Sequence, residues 1–416
     1  MTSTQTAPPP AFPLDAADLC VKCGLCLPHC PTYGETQHEG NSPRGRISLM
    51  QGLAIGALTS TPALEAHLDG CLGCRACERV CPAKVPYGEL IDAGRALLAQ
   101  RKPQRTRITR GVGAVLSSSV GLRTLAILLW LYRSTGLQRA VRALHVLGRG
   151  QLARLESLIP AGRAAARSAN AASIAPDAET IGLFSGCVGR VLDGETLAAT
   201  QTLFERMGVR VERPADQTCC GAIYEHGGLP ADARRNADRN LRAFASARTI
   251  VHSASGCGAT LIEYGRLATD PAQGAGFAGR TEEACAALLR RWPDHLQLRP
   301  LKARVAVHLP CTHRNVLGRS DAVVALLRKI PQVELVELDA TQRCCGAAGT
   351  YFVTQPEMAD RLLETKLQNA TRLQADYIVS TNIGCSLHLM GGLQRGDGRR
   401  PEVLHPATLI ARQLMP

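Results

Sequence analysis

Thr218-Cys219-Cys220-Gly221 reads TCCG, and the doublet returns 125 residues later as Arg343-Cys344-Cys345-Gly346, RCCG. Side chains of neighbouring residues diverge in regular structure, so two adjacent thiols and a glycine mark a loop with a purpose. The surroundings repeat as well. IGLFSGC, ending at Cys187, matches VAVHLPC, ending at Cys311, at an offset of 124. TIVHSASGC, ending at Cys257, matches YIVSTNIGC, ending at Cys385, at an offset of 128. A drift of four residues over that length is a duplication. Each copy alternates β-branched apolar runs with helical periodicity. Strands are expected at Thr180–Ser185, Val209–Arg213 and Thr249–Ser253, then at Arg304–Leu309, Val333–Leu338 and Tyr377–Ser380. Helices are expected at Gly194–Met207, Ala231–Arg248, Asp321–Lys329 and Pro356–Arg372. Such alternation gives a parallel sheet covered by helices.

Every cysteine motif of the repeat lies just past an expected strand. Parallel sheets gather their binding sites at those ends. Cys187, Cys219, Cys220 and Cys257 should therefore converge, and so should Cys311, Cys344, Cys345 and Cys385. In a loop, adjacent cysteines can aim both sulfurs at one centre. Gly221 and Gly346 let the backbone turn with positive φ or lie close against a cofactor. A further metal cluster, redox thiols and a structural thiol group all fit these two sets. Cys285, at helical spacing among apolar residues, reads as packing.

Nearer the N-terminus two further runs match each other: CVKCGLCLPHCP (Cys20, Cys23, Cys26, Cys30) and CLGCRACERVCP (Cys71, Cys74, Cys77, Cys81). This is the spacing of bacterial ferredoxins with [4Fe–4S] clusters. Three thiolates at two-residue gaps wrap one cluster, and the fourth, before a proline, turns away to the other. Cluster I should take Cys20, Cys23, Cys26 and Cys81, and cluster II should take Cys71, Cys74, Cys77 and Cys30. Between the runs, Pro43 to Arg46 read as a turn and Ile47–Leu58 as a helix. Arg44 and Arg46 either neutralise cluster charge, meet a partner, or lie solvated.

The 416 residues hold 17 cysteines, and the start MTSTQTAPPPAFP has neither a basic stretch nor an apolar run. No secretory signal is expected, and in a cytoplasmic setting cysteines read as metal ligands or redox thiols. Net charge is +13, and residues 101–170 alone contribute thirteen Lys/Arg against the single acid Glu156. Inside them lies LAILLWLY, 125–132, too short to span a bilayer. A basic amphipathic element docking at the inner membrane face or on an acidic partner, and a buried helix with a solvated basic face, both fit. No nucleic-acid-binding motif accompanies the charge, so nucleic acid is not an expected partner. GAGFAG, 274–279, has the letters of a dinucleotide loop without the preceding strand. The expected organisation is α+β multidomain: a helical 2x[4Fe-4S] ferredoxin-like domain (1–100), a basic helical segment (101–160), a linker (161–180), and two duplicated α/β parallel-sheet CCG domains (181–300 and 301–416).

The two runs flanking NSPRGRISL resemble the iron–sulfur subunits of flavin-linked 2-hydroxy-acid and glycerol-phosphate dehydrogenases. HLDGCLGCRACERVCPAKVPYGEL, CCGAIYEHGG and CCGAAGTYFVTQPEMADRLLETKLQN are similar to the glycolate oxidase iron–sulfur subunit family. The resemblance implies an electron-transfer subunit with two [4Fe-4S] clusters and no substrate site of its own. It implies FAD-containing partner subunits that oxidise glycolate to glyoxylate, and a quinone or other membrane acceptor. A D-lactate or glycerol-3-phosphate dehydrogenase subunit is the neighbouring alternative, and a thiol–disulfide enzyme of the heterodisulfide-reductase kind is the distant one. Heterodisulfide reductases end each CCG half with C-x-x-C, giving five cysteines for a cluster. Here Thr260 and His388 occupy the places of the fifth cysteine. His388, His308 or His313 could supply a nitrogen ligand or be ordinary hydrogen-bonded side chains.

Overall fold

The computed structural model describes residues 12–160, except 145 and 149, and 175–415, except 319 and 397. The greater part of the expected linker, 161–174, lies outside the described residues.

The N-terminal part is helical. Pro31–Thr36, Pro43–Ala54, Pro62–Asp69 and Tyr87–Arg101 are its main elements. Three of them open with proline at the first helical position, where the missing N–H costs nothing. The apolar faces of the last three meet in one core of Ile47, Met50, Leu53, Leu68, Leu90 and Leu98. Gly94 makes room there for the Met50 side chain, which a Cβ at that place would displace. Pro43 to Arg46 are not a separate turn. Ser42 caps the helix by accepting from the Gly45 N–H at 2.9 Å, so these residues form its first turn, and it ends at Ala54 rather than Leu58.

Arg107–Ser117, Ser119–Ser134, Leu137–Ala143 and Gln151–Ser157 form a helical strap. It is tied first to one half of the repeat and then to the other. Gly113 lies against the Tyr224 ring. The Thr218 hydroxyl donates to the Ser117 carbonyl at 2.8 Å, and Leu122 enters the core beside Phe184 and Cys219. Farther on, Arg154 pairs with Asp360, and Arg395 donates to the Ser157 hydroxyl at 2.9 Å.

The repeat forms two four-stranded sheets, parallel throughout. β1 (Thr180–Phe184), β2 (Arg210–Glu212), β3 (Ile250–His252) and β4 (Thr281–Glu283) stand in the order β2-β1-β3-β4. β5 (Arg304–His308), β6 (Glu334–Glu337), β7 (Tyr377–Ser380) and β8 (Glu402–Leu404) follow as β6-β5-β7-β8. β1 and β5 lead the two copies and are buried on both faces after their first residue, as central parallel strands are. The three-residue edge strands β4 and β8 are additions to the sequence expectation. The helix expected over Ala231–Arg248 is Pro230–Ala243; it stops where Phe244 turns in to meet Phe184 and Phe277. Both halves share one core, in which Leu183, Leu203 and Leu288 meet Val305, Leu326 and Ile410. GAGFAG lies within the helix Pro271–Gly279.

Candidate metal centres

The two ferredoxin-type runs place left-handed residues at the same two positions. Lys22 and Gly24 flank Cys23, with φ of 57° and 86°, and Gly73 and Arg75 flank Cys74, with φ of 59° and 57°. A left-handed residue on each side of the middle cysteine curls the loop around its three sulfurs. Lys22 and Arg75 hold this conformation without being glycine, at a cost of about 1 kcal/mol each.

One cavity is lined by Cys30, Cys71, Cys74 and Cys77, with Arg46 and Tyr87 in its wall. The fourth cysteine of the first run has thus joined the three of the second. Cys20, Cys26 and Cys81 are half-buried and each packs against the helical core, and Cys23 is exposed. Burial pushes the Cys74 and Cys77 thiols well up, and the neighbouring thiols add to this. Burial also raises Cys71, but the Arg46 and Arg95 charges outweigh it and bring its thiol down. Buried thiols that oppose one another's ionisation are a poor acid cluster and a good ligand set, since a metal takes the place of their protons.

Arg46 fits that set. Its side chain is 1% exposed; Nε donates to the His67 carbonyl at 2.7 Å and Nη1 to the Thr32 hydroxyl at 3.1 Å, while Nη2 has no partner. Its charge neighbours are Cys71, Tyr87 and Cys30. A buried guanidinium needs an anion, and thiolate-bound iron–sulfur supplies one. Arg44 is different: it pairs with Glu39 at 2.8 Å and donates to the Lys22 carbonyl at 3.0 Å, bracing the first loop from outside.

At the strand ends of the repeat the expected sulfurs meet. In the first half, Cys187 Sγ is 3.6 Å from Cys219 Sγ, and Cys219, Cys220 and Cys257 continue as a chain of thiol contacts. In the second, Cys311 Sγ is 3.8 Å from Cys344 Sγ, and the chain runs on through Cys345 to Cys385. Both doublet glycines are left-handed: φ is 98° at Gly221 and 87° at Gly346. Both are crowded as well, since a Cβ would lie 3.2 Å from the Ala233 carbonyl oxygen in one case and 2.6 Å from that of Ala359 in the other.

The histidines separate. His388 sits by the Ala359 carbonyl at 3.3 Å and stacks on Phe352. His313 Nδ1 lies 2.7 Å from the Thr381 hydroxyl. His308, at the end of β5, is the one whose ring nitrogen lies with the sulfurs of Cys345 and Cys385, all within 4.8 Å of one another. Thr260 is turned back to its own helix, on the Gly256 carbonyl at 3.4 Å. Cys285 is fully buried in the core shared by the halves, beside Glu283 and His405.

The second half docks on the second ferredoxin-type run. Leu72, Cys344, Tyr351 and Leu362 form one apolar cluster with Cys74 and Cys311 against it. Asn315 Nδ2 donates to the Cys74 carbonyl at 2.7 Å, and the Tyr351 hydroxyl to that of Gly70 at 3.2 Å. The first half meets the same domain through ions: Arg75 with Glu263, His226 with Asp92 at 2.9 Å, and Arg95 on the His226 carbonyl at 3.3 Å.

Comparison with known proteins agrees with this geometry. Residues 16–85 match the family described as 4Fe-4S dicluster domain, and 181–262 and 305–390 each match the cysteine-rich CCG domain. Residues 108–159 match the linker region of the glycolate oxidase iron-sulfur subunit. A Bacillus subtilis protein named "Probable glycolate oxidase iron-sulfur subunit" is 32% identical over 94% of this chain and 92% of its own length. The chain belongs to the glycolate oxidase iron–sulfur subunit family. The Escherichia coli glycolate oxidase iron-sulfur subunit is 32% identical over 89% of each chain. Lactate utilization protein A of Oceanobacillus iheyensis is 29% identical over 55% of this chain and 96% of its own. As a member of the glycolate oxidase iron–sulfur subunit family, the chain is an iron–sulfur protein, with all eight cysteines of the two runs inside its dicluster match.

Proposed function

We propose that this chain is the electron-transfer subunit of a flavin-dependent glycolate dehydrogenase, receiving electrons from FAD-containing partner subunits and passing them to a quinone or another membrane acceptor. The observation behind it is the cavity in which Cys30 joins Cys71, Cys74 and Cys77 beside the buried Arg46, whose Nη2 has no hydrogen-bond partner. Cys20, Cys23, Cys26 and Cys81 would hold the companion cluster. When bound, each cluster takes up and gives back single electrons. The residues of this chain do the rest. Arg46 and Arg95 compensate negative charge at Cys71, Tyr87 donates to its sulfur at 3.6 Å, and the helical core keeps water from Cys77. Glycolate oxidation belongs to the partner subunits.

The basic strap supports a docking role at the membrane surface. Among the described residues no single helix is long and apolar enough to cross a bilayer. Ile108, Val112, Ile127, Leu128 and Trp130 nevertheless face outward, with exposed Arg107, Arg110 and Arg123 beside them. Apolar side chains framed by cations suit an anionic lipid surface.

The likeness to lactate utilization proteins keeps D-lactate as the second substrate, with glycerol-3-phosphate beside it. The complex purified with its flavoprotein partners should give its highest kcat/KM with glycolate among the three. A higher value with D-lactate or glycerol-3-phosphate would reassign the complex. Cys77→Ser should leave flavin reduction by glycolate intact and bring quinone reduction to background.

A further inference from the structure

The two ferredoxin-type loops carry an apolar shoulder at the same place, one residue after the first cysteine: Val21 after Cys20, and Leu72 after Cys71. The shoulders differ in cover. Leu72 is 7% exposed, because Cys344, Tyr351 and Leu362 of the second α/β half lie over it. Val21 is 72% exposed, and Leu19 and Leu25 on either side of it are exposed too. The helix Pro43–Ala54 runs beside this bare loop: Arg44 donates to the Lys22 carbonyl at 3.0 Å, and Gln51, two turns on, donates to Asp18 at 2.6 Å. Ile55 lies four residues beyond Gln51, on the same side, and Leu58 folds back over Gly52. Among the described residues outside the strap, the large apolar side chains left exposed are Leu19, Val21, Leu25, Ile55, Leu58 and Met415. All but Met415 belong to this lip, and gathered apolar exposure marks an interaction surface. The redox site surfaces here as well: all seventeen cysteines are described, and Cys23 alone is exposed.

We infer that the lip around Cys23 is the docking surface for the FAD-containing partner subunit, and that the Cys20/Cys23/Cys26/Cys81 set is the station where electrons enter. The partner presents an apolar surface bordering its flavin, and Val21 does between subunits what Leu72 does within the chain. At each transfer the cluster held by this loop gains one electron and the partner's reduced flavin loses one. The charge around the lip favours a protein over a lipid surface. Lys22 stands with Asp15 and Asp18, all exposed, and Arg44 is paired with Glu39. The strap instead carries cations in excess, as an anionic membrane requires. With the strap turned to the membrane acceptor, the lip is left to the donor. The inference rests on the electron-carrier role proposed above and gives it an entry face.

The test uses the anaerobically purified full-length protein and separately purified FAD-containing subunits. An amine-acetylating reagent, read out by mass spectrometry, should label Lys22 in the free chain and several-fold less in the complex. Lys329, exposed on the second half, should be labelled equally in both. Val21→Asp combined with Leu25→Asp should weaken binding of the FAD-containing subunits roughly 10-fold or more, since two apolar side chains lose their burial. The iron–sulfur EPR signals of the isolated variant should match those of wild type. Because labelling needs no variant, a folding defect in the double variant leaves the test standing. Equal labelling of Lys22 in the free chain and the complex would overturn the inference. So would unchanged affinity of a variant with intact EPR signals, or protection of Lys22 by quinone-loaded phosphatidylserine vesicles and not by the FAD-containing subunits. Absence of iron–sulfur reduction by glycolate, in a complex that forms and protects Lys22, would instead contradict the electron-carrier role.

Discussion

Arg46 is the side chain whose charge bears most directly on the proposed cluster site of Cys30, Cys71, Cys74 and Cys77. Its guanidinium is buried, and its charge falls on Cys71 and Cys30. A nearby cation favours the reduced, more negative state of a cluster. Arg46→Met should therefore lower the midpoint potential of that cluster by on the order of 100 mV, for a charge several ångströms away at an effective dielectric of about 20. Arg46→Lys should restore part of the shift, and redox titration followed by EPR reads both. Gly346 answers the question posed by the doublet. It is left-handed, and a Cβ would meet the Ala359 carbonyl oxygen at 2.6 Å. Gly346→Ala should cost about 2 to 4 kcal/mol, read by denaturant unfolding, from a left-handed penalty plus overpacking. Positive φ was legible in the sequence; the close approach was expected against a cofactor, and its partner here is the Ala359 carbonyl of a following helix. The sequence could not choose among the histidines. His388 stands at the letter position of the missing cysteine, yet its helix turns it toward Phe352, while His308 reaches the sulfurs from a different strand.

At the scale of elements, the six strands that bring the cysteines together were legible, because apolar β-branched runs ending at a cysteine recur in both copies. β4 and β8 were not, being three residues each with too little pattern to read. Pro43 to Arg46 looked like a turn because Ser-Pro-Arg-Gly is turn chemistry, and the Ser42 cap makes the same residues a helix start. The basic strap was legible as helical but not as attached. Its bonds from Ser117 and its packing through Leu122 and Gly113 hold it to the first half. Removing it whole would therefore expose that core, and single outward residues make the sharper test. Trp130→Asp should weaken cosedimentation with phosphatidylserine vesicles roughly 10-fold or more, since burying one large apolar side chain contributes about 1.5 to 3 kcal/mol. Raised salt should weaken wild-type binding as well, by screening the arginines. Unchanged cosedimentation of the variant would remove the strap from membrane docking.

At the scale of the whole molecule, the ferredoxin-type domain is held by two kinds of contact: apolar toward the second half, ionic toward the first. The charge of Asp92 chiefly raises the His226 pKa from 6.5 to about 9. A folded-state value above the unfolded one means that the pairing stabilises fully below pH 6.5 and is lost as pH rises through about 9. The ring is half-exposed, so solvent screens the pair and its contribution is modest. The thermal midpoint of wild type should exceed that of His226→Gln below pH 6.5, and the two should converge above about pH 9. A gap independent of pH would place the stabilisation elsewhere. The apolar contact is the one that sets Cys74 beside Cys311, and it is there that the molecule joins its two cysteine systems.

The central claim is that this chain moves electrons it does not itself extract from substrate. The direct measurement is EPR of the iron–sulfur signals after anaerobic addition of glycolate, to the chain alone and to the chain assembled with its flavoprotein partners. Reduction is expected in the complex and none in the isolated chain. Reduction of the isolated chain by glycolate, or no reduction in a complex whose flavin is reduced, would contradict it.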